Sequence, residues 1–293
     1  AALPPDARGR GEALRPLDEA RIVDQLRGVG ANATRSQMPL SESLLQRLDA
    51  AGILVWQLVG PFEHAGQSNR TTRPADARDR ALRVAETQQP HPAILAWTLT
   101  NELNGAGRPD QLRYVRMTAR RLHALDPTRP VAVDIWGSHL PPSAGGAYSE
   151  VDALGVTDYV GWYSDLDAGP DGQVAIARDR LARLRALFPD KPIVITELGA
   201  IGSRRASGFG GLAFQAELLG RRIAGLRDAP GLSGTIVWSL RDYALRPDFT
   251  GGSVLKRRPG LRITPGLNEK GLYDYAGRPK PALRAVRRAF ARG

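Results

Sequence analysis

Near-continuous apolar runs alternate with helix-periodic segments along most of this chain. The runs fall at 31–36, 53–58, 94–100, 131–135, 153–160, 193–197 and 235–240. The two that lead to Glu102 and Glu197, 94–100 and 193–197, are rich in β-branched residues and do not alternate apolar with polar, as expected of strands buried on both faces. Helical spacing fills most of the gaps. Segment 17–27 has a polar first turn and ends near Gly28. Segment 41–51 opens on Ser41, carries Leu44, Leu45 and Leu48 on one face, and stops before Gly52. Segments 75–86, 109–125, 174–188, 212–226 and 281–292 also read as helices. Strand alternating with helix predicts a parallel sheet.

This many units predicts an α/β fold of the (β/α)8 TIM-barrel type. Eight strands close such a barrel, and seven are found. Segment 1–16 is rich in Pro, Gly and charge and carries no strand pattern. The barrel is therefore expected to lack its first strand in this chain, with the gap beside 31–36. No repeat, low-complexity stretch or linker divides the chain. It reads as one barrel domain over 1–293, with 1–16 irregular.

Two of the strand candidates end in a carboxylate. The run from 94 leads through Thr100 and Asn101 to Glu102, and the run from 193 stops at Glu197. A residue at the C-terminal end of a barrel strand points into the mouth where such folds build their sites. About 95 residues separate the two, roughly three strand-helix units, so their strands face each other obliquely across the mouth. Two carboxyl groups held about 5 Å apart suit cleavage of a glycosidic bond with retention of configuration.

Composition narrows the alternatives. The chain has 293 residues, 42% hydrophobic and 24% charged, enough for a sizeable core. Cysteine is absent, which removes disulfides and thiolate metal sites. His64, His91, His123 and His139 have no ligand-like spacing; no metal or cofactor is expected. The net charge of +11 raises nucleic acid as a partner. The arginines are spread along the helices, however, and only 284–292 forms a dense basic stripe, without interleaved aromatics. No nucleic-acid partner is expected. No apolar run approaches the roughly 20 residues of a membrane span, and no membrane partner is expected either.

The ordered motifs resemble those of glycoside hydrolase family 2, the family of β-galactosidases, β-mannosidases and β-glucuronidases. They are GANATRS at 30–36, LDAAGILV at 48–55, HPAILAW at 91–97 running to Asn101-Glu102, KPIVITELGA at 191–200, Trp238, and GLYDYAGRPKPA at 271–282. The resemblance implies that Glu102 is the acid/base and Glu197 the nucleophile, and that the substrate is a carbohydrate. It implies that Asn101 holds the sugar 2-hydroxyl, that Arg35 braces Glu197, and that Trp238 floors the sugar pocket. Tyr159 or Tyr163 would donate to Glu197 or to the substrate. Asn268 and Lys270, read as Asn-x-Lys, would recognise a sugar carboxylate, as in β-glucuronidases. His91 would fix the loop entering its strand.

The chain departs from the family pattern in two ways. Ser36-Gln37-Met38-Pro39 lacks the His that usually precedes this Pro. The family's N-terminal β-sandwich domains are absent from this chain and would belong to a longer protein. The expected activity is that of a retaining exo-β-glycosidase acting on β-galactosides or β-glucuronides. Its rival is a sugar-binding or degenerate barrel without turnover.

Overall fold

The computed structural model describes residues 1–3, 13–60 and 73–291. His64, Arg292 and most of segment 1–16 lie outside them. The elements run α1 (Pro16–Val29), β1 (Ala33–Ser36), α2 (Glu42–Ala51), β2 (Leu54–Leu58), α3 (Pro74–Gln88), β3 (Ile94–Thr98), α4 (Pro109–Leu125) and β4 (Val131–Ile135). They continue with β5 (Ala153–Asp158), α5 (Pro170–Leu187), β6 (Ile193–Leu198), α6 (Leu212–Leu226), β7 (Leu232–Val237), β8 (Tyr243–Ala244), β9 (Leu267–Asn268) and α7 (Pro281–Phe290). A 3-10 turn at Gly146–Glu150 replaces a helix between β4 and β5.

Local chemistry sets these boundaries. Proline opens α1, α3, α4, α5 and α7, where its missing N–H has no partner to lose. Ser41 caps α2 by accepting from the Leu44 amide at 3.3 Å. Strands β1 to β7 pair in chain order, all parallel, in a nearly closed barrel. His91 bonds Asp49 at 2.6 Å and Glu42 at 2.9 Å, tying the entry of β3 to α2.

The gap between β7 and β1 is where the missing strand was expected, but it is not empty. The Ala2 amide donates to the Val237 carbonyl at 2.8 Å, and the Leu3 amide to the Arg35 carbonyl at 2.9 Å. The Leu240 amide donates back to the Ala2 carbonyl at 2.8 Å. These three residues form no strand, so among the described residues the barrel has seven strands and lacks its first as expected, although their backbone bridges the gap. Ala-Ala-Leu is too short to show a pattern. The seventh strand is also displaced from 235–240 to Leu232–Val237, because Ser233 and Gly234 interrupt the apolar run in its first half.

One irregularity bears on the site. In β6, Ile195 pairs with Thr235 but Leu198 pairs with Val237, so Thr196 and Glu197 together oppose a single residue of β7. On the other side, Val156 pairs with Ile195 and Thr157 with Glu197. The strand therefore carries a bulge of one residue just before its carboxylate. Bulges of this kind re-aim a side chain.

Asp126 fastens the turn between α4 and β4. Its carboxylate accepts from Trp97 Nε1 at 3.0 Å, Thr128 Oγ1 at 2.6 Å and Arg129 at 2.7 Å. Burial pushes its pKa up, but these donors outweigh burial and hold it at about 2. A folded-state pKa below the unfolded one gives stability that is present at neutral pH and lost as pH falls toward about 2. We expect Asp126→Asn to lower unfolding free energy at pH 7 by roughly 2 kcal/mol. The difference should shrink in urea melts repeated toward pH 2, and a pH-independent difference would contradict this account.

Candidate active site

The site is built around a buried arginine. Arg35, near the end of β1, is fully buried. Its Nε donates to Asp134 Oδ2 at 2.8 Å, one terminal nitrogen to Glu197 Oε1 at 2.9 Å, and the other to Asn101 Oδ1 at 2.6 Å. Burial opposes the guanidinium's charge, yet Asp134 and Glu197 more than compensate, and its pKa lies above the ordinary value. Asp134, on β4, also accepts from Trp56 Nε1 at 2.9 Å and Thr98 Oγ1 at 3.1 Å. There is room for it only because β5 carries Gly155. A β-carbon there would come within 2.0 Å of Asp134 Oδ1.

Glu197 collects three donors. Besides Arg35, Gln37 Nε2 reaches Oε1 at 3.1 Å and the Tyr159 hydroxyl donates to Oε2 at 2.6 Å. Burial is the largest influence on its pKa and raises it, and the nearby charge of Glu102 adds to that. Arg35, the Tyr159 hydrogen bond and Lys270 pull the other way, and the balance stays above an ordinary glutamate. Burial and Glu197's negative charge also push the Tyr159 hydroxyl well above its usual range, so it stays a donor.

Asn101 and Glu102 sit on a kink beyond β3. The Leu99 amide bonds the Ala132 carbonyl, and the Leu103 amide bonds the Asp134 carbonyl, each at 2.9 Å. Four residues on one side thus span two on the other, and the surplus chain is thrown toward the barrel axis. Glu102 takes a φ of +51°, a conformation that disfavours side chains with a β-carbon. Asn101 is fully buried, and its Oδ1 accepts from both Arg35 and Gln37.

The opposite wall comes from loops after β7. Trp238 Nε1 donates to the Tyr243 hydroxyl at 3.1 Å, and Asn268 Nδ2 donates to the same hydroxyl at 2.8 Å. Asn268 Oδ1 accepts from the Lys270 amide at 3.2 Å, so this side chain shapes the turn that carries Lys270. The Lys270 ammonium donates to the Tyr163 hydroxyl at 2.5 Å and lies 4.8 Å and 4.5 Å from the ring centres of Tyr159 and Tyr163. Lys270 is buried, and among the described residues no carboxylate lies within ion-pair distance of it.

A cavity of about 840 Å³ opens between the two walls, lined by Glu102, Glu197, Tyr159, Trp238, Asn268 and Lys270 among others. Arg35 and Asn101 lie beneath its surface. The nine residues given catalytic or substrate roles from the sequence gather at the C-terminal mouth, while His91 stays at the entry of β3. Sequence reasoning missed Asp134, Gln37 and Tyr243. The signal for Asp134 was a lone acid inside the apolar run 131–135. Gln37 drew notice only as a departure. Nothing local distinguished Tyr243.

Comparison with known proteins places this arrangement. The model of the glycosyl hydrolases family 2, TIM barrel domain, matches residues 6–219. A β-glucuronidase of Streptococcus agalactiae is 27% identical over 97% of this chain and 48% of its own length. A putative β-glucuronidase of Formosa agariphila is 24% identical over 94% of this chain and 34% of its own. The chain thus spans half or less of these relatives. A β-galacturonidase from Eisenbergiella tayi, solved with galacturonate, superposes with a TM-score of 0.80 at 22% identity, covering 100% of this chain and 50% of that one. The β-D-glucuronidase of Dictyoglomus thermophilum gives 0.79 at 21% identity, over 98% and 49%. These superpositions share the barrel, and the family match extends over most of the chain, from before α1 into α6. The chain belongs to the glycosyl hydrolases of family 2, as a TIM barrel domain.

Proposed function

We propose that this barrel carries the reacting site of a retaining exo-β-glycosidase specific for β-uronides, sugars that bear a carboxylate. One observation carries the substrate class. Lys270 presents a buried ammonium, with no carboxylate partner among the described residues, on the wall of the cavity that holds Glu102 and Glu197. A buried ammonium that meets a phenol hydroxyl and two ring faces, with no carboxylate partner among the described residues, gains most from an anionic ligand. Asn268 sets the turn below it. The curated relatives are named for activity on glucuronides, which agrees with this reading.

In the proposed reaction Glu197 attacks the anomeric carbon as the bond to the leaving oxygen breaks, and Glu102 gives that oxygen its proton. A glycosyl ester on Glu197 results. Water, deprotonated by Glu102, then attacks the same carbon and releases Glu197 as carboxylate. Arg35, Gln37 and Tyr159 all donate to Glu197 and so favour its ionised, nucleophilic form, against burial. Asn101 would meet the sugar 2-hydroxyl, and Trp238 would pack under the ring. Retention requires the two carboxyl groups to lie about 5–5.5 Å apart, against roughly 6.5–9.5 Å for inversion.

A panel of nitrophenyl β-glycosides tests this reading, with the first-formed sugar followed by proton NMR. We expect turnover of glucuronide or galacturonide with a β-anomer product. An α-anomer, or no turnover of any glycoside, would overturn it.

Two substitutions carry the test to the residues. Glu102→Ala should lower kcat/KM on poor leaving groups by about 10²–10⁴-fold. Azide should restore turnover of the nitrophenyl substrate and give a β-glycosyl azide; failure of rescue would remove Glu102 from the acid/base role. Lys270→Ala strips a charge-assisted bond of roughly 1.5–3 kcal/mol. It should therefore lower kcat/KM on uronides about ten- to a hundred-fold and leave neutral glycosides nearly unchanged.

The pH profile offers a separate check. Activity needs ionised Glu197 and falls as pH drops through its pKa, which stands above the ordinary value. Because Lys270 lowers that pKa, Lys270→Ala should move the acidic limb of kcat/KM to higher pH. A limb that stays in place would assign it to another group.

A further inference from the structure

Away from the cavity lies a buried charged cluster that the proposed reaction does not use. The Lys280 ammonium, on the residue just before α7, is almost fully buried. It donates to Asp242 Oδ1 at 2.8 Å, to the Glu269 carbonyl at 2.8 Å and to the Gly202 carbonyl at 3.0 Å. All three ammonium protons are used, and no donor is left for solvent or ligand. Asp242 Oδ1 in turn accepts from the Gly271 amide at 2.8 Å. Burial, opposed by Lys280, pushes the Asp242 carboxyl up to about 7.

The bonds from this pair converge on one short segment. Glu269 and Gly271 flank Lys270 on both sides, and both backbone groups end on the Asp242–Lys280 pair. From the opposite side Gln215 Nε2 donates to the carbonyls of Lys270 at 3.0 Å and Gly271 at 3.2 Å. The fit is close. A β-carbon on Gly271 would stand 2.1 Å from the Asp242 amide nitrogen. The backbone of Lys270 is therefore held from both neighbours, while its side chain alone projects to the cavity.

A buried ion pair is weak as a source of stability, because desolvation consumes most of the attraction, and in some proteins such pairs serve instead to specify geometry. Resting on the reading of Lys270 as the contact to a sugar carboxylate, we propose that Asp242 and Lys280 are positioning residues. They touch neither sugar nor reacting atoms, and they set the ammonium of Lys270 for the anionic substrate through the backbone of 269–271.

The test is a double-substitution cycle on kcat/KM for nitrophenyl β-glucuronide, measured on the full protein. The variants are Asp242→Asn with Lys280→Met, which removes both charges at similar size, and Asp242→Asn alone, each with and without Lys270→Ala. With Lys270 present the paired substitution should lower kcat/KM about ten- to a hundred-fold, the scale of a contact misplaced by about 1 Å, mainly through KM. With Lys270 already replaced by Ala the same substitution should change kcat/KM by less than about twofold, since nothing remains to be positioned. Losses that multiply in both backgrounds would mean that the pair only supports the fold, and would overturn the proposal. Thermal midpoints separate that outcome from unfolding, and Asp242→Asn alone, which leaves Lys280 its two carbonyl acceptors, carries the cycle if the paired variant does not fold. The outcome differs from failure of the uronide reading itself. In that case Lys270→Ala alone would lose equally on glucuronide and on neutral nitrophenyl β-galactoside.

Discussion

Arg35 brings a permanent positive charge into an interior that water does not reach. Such a charge is stable only where carboxylates and other acceptors meet it with good geometry. Here the acceptors come from three other strands or their ends: Asn101 after β3, Asp134 on β4 and Glu197 on β6. One guanidinium therefore holds together the segments that carry Asn101, Asp134 and Glu197. Its planar fork fixes direction as well as charge. Asp134 in turn holds Trp56 and Thr98. Replacing any one of these groups would leave a buried partner without its complement, and the rest would shift to find one.

The other wall of the cavity obeys a different logic. No strand of the barrel carries Tyr243, Asn268 or Lys270; they lie in the excursion that follows β7, with the short β8–β9 ladder inside it. A loop is held in place by many small ties. Tyr243 gathers Trp238 and Asn268 from opposite ends of the excursion. Tyr163, from the segment after β5, meets Lys270 across the mouth. The half of the site proposed to do the bond-making is thus carried on the barrel, while the half that would discriminate among sugars is carried on chain that varies easily in length and sequence.

Much of this was legible in the residues, and the illegible parts share a cause. Strands and helices could be read because burial on both faces and helical periodicity leave marks within ten residues of chain. Glu102 and Glu197 stood out as charges ending apolar runs. The bulge at Thr196–Glu197 left no mark, since register is a relation between strands and the pattern of one strand does not contain it. Asp134 passed unremarked inside an apolar run because its partner, Arg35, is far away in sequence. The strand-like pairing of Ala2 and Leu3 was hidden by brevity, and the start of β7 by Ser233 and Gly234. The Asn-x-Lys motif lies on the cavity wall, although Asn268 spends its amide on Tyr243 and on the turn.

Glu102 occupies a backbone conformation that favours glycine or asparagine. Glycine or asparagine there would relax the kink by about 1 kcal/mol or more. Selection for stability alone would therefore drift this position away from glutamate. On the proposed acid/base role, a carboxyl side chain at such a place reflects selection for chemistry over backbone ease, and a descendant released from that selection would be free to change it.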